Sequence, residues 1–336
     1  MTHTVQIGPL RVGPGQPVTL VAEVGINHNG NLDQIKMLAQ HAKLYGWQMV
    51  KIQTRINRQG KLTDVYTPEE LAKPREIPRD LLEMAIRRGV FSQEEARYLR
   101  EQPERTTTHD QKRSIELLPH ELSLFVAYAN EVGVVPFSTP WCLGAVEVLE
   151  EAGVPCYKIG SPSAADDELL RAVAETGKPV ILSTGMCTME MVEHAVETLL
   201  KYTGDDKLVI LHCTSVYEQP SAMAGDHNIS LLNLRCIETF RQRFDPIPIG
   251  FSGNDTGIQP AYAAAVLGAV MIEKHVTLWR GMYGSDQASS IELDDMMRLA
   301  RMVRELPAVI GDGVKRFYEA EYPVADKLRK AGTKRP

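Results

Sequence analysis

Eight short apolar runs, each followed by a helix-length amphipathic segment, constrain this chain more than any other feature of its sequence. The runs are VTLVAEVG (18–25), MVKIQT (49–54), VPFSTP (135–140), CYKIGS (156–161), PVILSTG (179–185), LVILHC (208–213), PIPIGFS (246–252) and VMIEKHV (270–276). Nearly continuous hydrophobicity marks strands covered on both faces, the condition of a parallel sheet. The segments around 32–45, 119–132, 143–152, 166–176, 189–201, 233–244, 260–269 and 292–306 carry apolar residues at three- and four-residue spacing, as one-sided helices do. Gly46, Gly133, Gly153 and Gly177 follow four of these segments, where a left-handed residue ends a helix. Eight such units predict an α/β fold, a (β/α)8 TIM barrel, rather than a doubly wound sheet, which has fewer strands. Residues 55–118 break the rhythm. This charged, proline-containing insertion between the second and third runs predicts helices near 79–88 and 92–101, and reads equally as a lid or partner surface and as a solvated excursion. The barrel domain is expected to span 1–316, insertion included, with a short helical or extended tail over 317–336.

Composition narrows the function. The chain has 336 residues and a formal charge of −6, and its basic runs are short, which argues against polyanionic partners such as nucleic acid or a membrane surface. Five widely spaced cysteines without a CxxC pair predict neither a disulfide framework nor a zinc knuckle, and fit a reducing cytoplasm. The first twenty residues lack the pattern of an export signal, and no 18-residue apolar run predicts a membrane span.

In a barrel of this kind the chemistry projects from the C-terminal ends of the strands. Those positions hold Glu23, Lys51 with Gln53, Ser138 with Thr139, Lys158 with Ser161, Ser183 with Thr184, His212 through Ser215, Ser252, and Glu273 with His275. A barrel that served only as scaffold could fill its interior with Val, Ile and Leu. Two lysines, several hydroxyls and nearby glycines instead describe an anion site suited to phosphate or carboxylate. Other readings stand beside this one. Either lysine could be a structural partner of Glu23 or Glu273, His275 could be a core histidine, and a lone barrel lysine could form a Schiff base with a keto substrate.

AEVGINHNG (22–30), KIQT (51–54), FSTP (137–140), YKIGS (157–161), ILSTGM (181–186), LHCTSVY (211–217), GFSGNDTG (250–257) and EKHVTL with GSD (273–278, 284–286) resemble, in order and spacing, the sialic acid synthase family. The resemblance implies condensation of phosphoenolpyruvate with an aldose such as N-acetylmannosamine, giving a 2-keto-3-deoxy sugar acid and phosphate. It places Lys51, Thr139, Lys158, Ser161, Ser183, Ser215 and Ser252 on phosphoenolpyruvate. Glu23, Gln53, Tyr217 and Asp286 fall on the acceptor sugar, with Glu23 also handling a proton. Lys51, Lys158, Glu23 and His275 form the expected catalytic set. His275 matches one ligand of a divalent metal, manganese or magnesium, that would polarise the aldehyde. A homodimer is implied as well.

Three departures from the family pattern qualify these expectations. Asn254 stands where the family has its second metal histidine; an amide oxygen is the weaker ligand, so metal affinity is expected to fall, unless Asp255 substitutes as ligand. KIGSPS places Pro162 and Ser163 where a Glu often follows. The antifreeze-like domain that follows the barrel in many members is not expected here. Two further functions stay open at this point: a non-catalytic sugar- or phosphate-binding barrel, and a Schiff-base pyruvate aldolase.

Overall fold

The computed structural model describes residues 3–62, 65–216 and 228–330. Two short antiparallel strands, β1 (Val5–Ile7) and β2 (Leu10–Val12), open the chain. The eight expected runs then form β3 (Thr19–Gly25), β4 (Met49–Thr54), β5 (Val135–Pro140), β6 (Tyr157–Ile159), β7 (Val180–Ser183), β8 (Leu208–Thr214), β9 (Ile249–Gly253) and β10 (Met271–His275). All neighbours are parallel, in sequence order, and β10 closes on β3. This is the predicted (β/α)8 barrel.

The helices follow the predicted periodicity closely: α1 (Leu32–Tyr45), the insertion helices α2 (Pro68–Leu71), α3 (Arg79–Arg87), α4 (Gln93–Glu101) and α5 (Thr108–Ile115), then α6 (Pro119–Val132), α7 (Leu143–Ala152), α8 (Asp167–Glu175), α9 (Met189–Leu200), α10 (Cys236–Arg243), α11 (Gln259–Val266), α12 (Leu293–Ile310) and α13 (Tyr322–Leu328). Asn31 accepts from the Asp33 and Gln34 amides at the start of α1, satisfying donors that the first turn leaves open. No helix among the described residues is long and apolar enough to cross a membrane. The chain divides into two compact units, residues 1–303 and 304–336. In the second, the Phe317 ring packs edge-on against Tyr322 at 5.0 Å and lies beneath the Arg329 guanidinium.

The barrel floor is closed by the β1–β2 hairpin, which the strand count missed. Val5, Ile7 and Val12 are fully buried against Val21, Met49, Phe137, Ile181, Val209, Leu211 and Met271. Each such side chain removed from water contributes roughly 1.5–3 kcal/mol. Above that apolar plug the inward-facing positions turn polar, which confines the polar set to one end of the barrel.

The insertion is no solvated excursion. Ile77, Leu81, Leu82, Ala85, Phe91, Leu99 and Ile115 form a second core with Ile26 of the β3–α1 loop. Arg88 ties it down, donating to both Glu121 oxygens (2.9 and 2.6 Å) and to the Ser114 and Glu116 carbonyls. A side chain at Gly30 (φ +74°) would overlap the Arg88 guanidinium at 2.2 Å and the Ser114 carbonyl at 2.5 Å, so this loop accepts only glycine there.

Beside it His28 is buried, its Nδ1 accepting from the Gly30 amide at 3.0 Å. Burial, then the positive charges of Arg88 and Arg55, push its pKa down to about 3 from 6.5. The unfolded chain therefore takes up a proton below pH 6.5 that the folded chain refuses. Stability is complete above that pH and falls by about 1.4 kcal/mol per unit as pH drops toward 3. Urea unfolding at pH 7 and pH 5 should show that loss, about 2 kcal/mol from this residue. It should be absent in His28→Gln, and an unchanged pH slope in that variant would refute the assignment.

Candidate active site

Strand register assembles the site. His275 lies beside Glu23, Glu23 beside Lys51, Gln53 beside Thr139, and Glu273 beside Ser252. Because side chains alternate across a strand, these neighbours share the inner face. They line a cavity of about 820 Å³ together with Lys158, Ser161, Ser183, Ser215, Asn254 and Asp286. Every predicted site residue within the described segments is thus brought to one cavity; Tyr217 lies outside them.

Strand alternation also separates three strand-end residues from that cavity. Ser138 donates to the Ile52 carbonyl (3.1 Å) and Thr184 to the Leu211 carbonyl (3.0 Å), while the His212 ring bonds the Leu232 carbonyl and packs against Phe240. Their neighbours Thr139, Ser183 and Cys213 point inward.

Four buried charges form the inner end, each at most 4% exposed. Lys51 Nζ lies 2.5 Å from Glu23 Oε2 and 4.0 Å from Glu273 Oε1, and Lys158 Nζ lies 3.4 Å from Glu273 Oε1. Hydroxyls complete the set: Lys51 donates to Thr139 (3.1 Å), Lys158 to Ser183 (2.6 Å), and Ser252 to Glu273 (2.9 Å). Glu273, read from sequence as a strand-end polar residue and a possible structural partner of a lysine, stands between both ammonium groups. Burial would raise its pKa, but Lys158, Lys51, the Ser252 hydroxyl and His275 outweigh burial, so its pKa is lowered and it is ionised at neutral pH. Burial is the main reason that the Lys158 pKa is lowered, against the opposing pull of Glu273. Gln53 Nε2 donates to Glu23 Oε1 at 3.0 Å, while Gln53 Oε1 accepts from Arg55, which pairs with Glu116 at 2.9 Å. Glu23 is therefore oriented from two sides.

Gly185 keeps the hydroxyl cradle open. Its amide donates to Ser161 Oγ at 3.0 Å, and an added Cβ would sit 2.2 Å from Ser215 Oγ and 2.8 Å from Ser161 Oγ. Gly185→Ala should displace both hydroxyls, raising the KM for the anionic substrate by roughly 10- to 100-fold with little change in Tm. An unaltered KM would remove these two serines from the site.

Asn254 and His275 both line the cavity, yet the donor set does not fit a divalent metal. The Asn254 amide NH2 donates to the Thr214 carbonyl (3.1 Å) and the Cys213 sulfur (3.5 Å), which leaves only the weakly donating amide oxygen for a cation. Asp255, the alternative ligand considered from sequence, is engaged by fully buried Lys274 at 3.2 Å. His275 Nδ1 has Asp286 Oδ2 at 4.0 Å. Among the described residues no group of three His, Cys, Asp or Glu side chains could hold a metal ion.

Residues 83–315, more than two thirds of the chain, match the NeuB family. The chain belongs to the NeuB family. It is 30% identical over 321 residues to human N-acetylneuraminate-9-phosphate synthase, covering 95% of this chain and 79% of the relative. It is 29% identical over 326 residues to the N,N'-diacetyllegionaminic acid synthase of Legionella pneumophila, covering 96% and 82%. The crystal structure of an N-acetylneuraminic acid synthetase from Leptospira borgpetersenii superposes with a TM-score of 0.71 at 24% identity, covering 97% of this chain and 96% of that one, which speaks for the fold. As a NeuB protein the chain is a transferase of the sugar-acid synthase type. NeuB synthases are commonly metal-dependent, and the Asn254 environment sets this member apart from a two-histidine site.

The motifs did not reveal Arg55, Tyr66, Arg75, Lys112, Trp141 and Tyr283, which also line the cavity. Four of them, Arg55, Tyr66, Arg75 and Lys112, belong to the 55–118 insertion, and only Arg55, directly after KIQT, carried a positional hint.

Proposed function

We propose that this NeuB protein condenses phosphoenolpyruvate with an aldose, yielding a 2-keto-3-deoxy sugar acid and phosphate. The observation that carries this reading is the inner end of the cavity, where two buried lysines alternate with two buried glutamates amid serine hydroxyls. Before substrate arrives, Glu23 and Glu273 offset the charge of Lys51 and Lys158 and hold both ammonium groups in place. An incoming carboxylate and phosphate then meet preoriented cations, with Ser161, Ser183, Ser215 and Ser252 donating around them.

In the reaction, C3 of the enolpyruvate attacks the aldehyde carbon and the carbonyl oxygen gains a proton. Water adds to the resulting C2 cation, and phosphate departs with cleavage of the C2–O bond. Glu23, fixed by Lys51 and Gln53, is the group placed to move a proton at the reacting hydroxyl or the water. No step is assigned to a metal.

The test is phosphate release from phosphoenolpyruvate across a panel of aldoses in 18O-labelled water. Label in the sugar acid and none in the phosphate supports the mechanism; label in the phosphate overturns it. Buried Lys158 with its lowered pKa also suits a Schiff-base aldolase. Borohydride in the presence of pyruvate would trap Lys158 only in that case.

The Asn254 environment yields a further expected result. Wild-type turnover should survive EDTA, while Asn254→His, which adds a second imidazole to the cavity that His275 lines, should bind manganese by calorimetry and gain turnover with it. No manganese binding by the variant would remove this account of position 254.

A further inference from the structure

A chain of buried polar contacts runs from the core of the insertion to the reacting end of the cavity. Glu116 directly follows α5. Its carbonyl accepts from Arg88, which also holds the Ser114 carbonyl and both oxygens of Glu121, so the insertion core fixes the Glu116 backbone. The Glu116 carboxylate, buried like Arg55, meets the residue that follows β4: Oε1 accepts from Arg55 Nη1 at 2.9 Å and Oε2 from the Arg55 amide at 3.1 Å. The Arg55 guanidinium lies 4.5 Å over the Trp141 ring, and its Nη2 donates to Gln53 Oε1. Gln53 Nε2 in turn donates to Glu23 Oε1 at 3.0 Å, while Lys51 holds Glu23 Oε2 at 2.5 Å.

Chemistry dictates the direction of every donor along this chain. A guanidinium has five N–H donors and no acceptor, so the end of the Gln53 amide that faces Arg55 must be its carbonyl oxygen. The NH2 is thereby turned toward Glu23, whose ionised carboxylate can only accept. If Arg55 swung away, nothing would oppose a flipped amide, which would remove this hydrogen bond and set a carbonyl oxygen against the carboxylate. Glu116 prevents that by bonding both the backbone and the guanidinium of Arg55. Arg55 and Gln53 line the cavity and Glu116 does not, so Glu116 acts from behind them.

We propose that Glu116 is a positioning residue for the reaction, acting through Arg55 and Gln53 to hold the Glu23 carboxylate in the orientation for proton transfer. This rests on the reading of Glu23 as the group that moves a proton. The insertion is thus part of the machinery of turnover, and its separate core keeps one carboxylate in place against the end of β4. A residue that merely neutralised Arg55 would need its charge alone, whereas a positioning residue also needs its exact reach.

The experiment is a double-variant cycle on phosphate release from phosphoenolpyruvate, with N-acetylmannosamine or the aldose that the panel above favours as acceptor. Glu116→Gln keeps the shape and removes the charge; Glu116→Asp keeps the charge and withdraws it by one methylene. Each should lower kcat roughly 10- to 100-fold and leave the KM for phosphoenolpyruvate within about threefold of wild type. In a Gln53→Leu background, where no amide is left to orient, either change should cost less than about twofold. Equal losses in both backgrounds, or wild-type kcat in Glu116→Asp, would overturn the proposal, since a residue that only neutralised Arg55 or stabilised the insertion would behave in that way. A second readout needs no turnover: the Gln53 side-chain NH2 resonances, identified by their loss in Gln53→Leu, should exchange with solvent at least about tenfold faster in Glu116→Gln. If the wild type releases phosphate with no acceptor, the reaction reading fails and this exchange judges the Glu116 assignment by itself. Faster exchange supports it; unchanged exchange overturns it.

Discussion

Lys158→Met is expected to lower kcat/KM for phosphoenolpyruvate by about a thousandfold, close to 4 kcal/mol of transition-state stabilisation. Methionine preserves most of the buried volume and removes the charge, so the loss reports electrostatics rather than packing. Glu273 would keep the Ser252 hydroxyl at 2.9 Å and the Lys51 ammonium at 4.0 Å. Those partners confine the stability cost to roughly 1–3 kcal/mol. With one of its two stabilising cations gone, the Glu273 pKa should rise, and activity in the variant should recover partly toward higher pH as that carboxylate ionises. Steady-state kinetics with phosphoenolpyruvate as the varied substrate, beside a thermal melt, separates the two effects. A KM within about threefold of wild type would dismiss Lys158 as a phosphoenolpyruvate ligand.

The largest stability effect should come from a residue facing away from the cavity. Lys274 is wholly buried on β10, and its ammonium lies 3.2 Å from Asp255 Oδ2 and donates to the Asp255 carbonyl. Lys274→Met would strand the Asp255 carboxylate, itself 6% exposed, in a poorly solvated setting. Breaking one side of such a pair costs about 3–5 kcal/mol, a fall in Tm of roughly 5–10 °C for a chain of this size. The pair also anchors the GFSGNDTG turn that presents Ser252 and Asn254, so residual folded variant should show a raised phosphoenolpyruvate KM. The double variant Lys274→Met, Asp255→Leu should regain much of the lost stability, since removing both charges leaves no orphan. Failure of that rescue would show that the turn, and not the pair, is the vulnerable element.

The barrel was legible because its signals are local. Continuous apolar runs and three- and four-residue spacing are read within a dozen residues, and each predicted strand and helix formed within a few residues of its expected place. The β1–β2 hairpin escaped because VQIGPLRV is short and belongs to no βα unit; its burial depends on a barrel floor built from residues spread along the chain from Val21 to Met271. At the strand ends the sequence offered adjacent polar pairs, Ser138 with Thr139 and Ser183 with Thr184, without saying which member turns inward. Register settled that choice, since a shift of one residue exchanges the two faces of a strand.

The candidate site divides in the same way. Residue order alone was enough for the barrel, for Glu23, Lys51, Lys158 and the serines at strand mouths, and for placing Asn254 in the GFSGNDTG turn, because each is a property of a short segment. Only the tertiary structure decided that Glu273 stands between the two lysines, that the Asn254 amide is bound to Thr214 and Cys213, and that Lys112 and Arg75 reach the cavity. Those outcomes depend on the closure of β10 onto β3 and on an insertion core that packs against Ile26. Contacts between positions so far apart in the chain are fixed by the packing of whole elements, which no local pattern encodes.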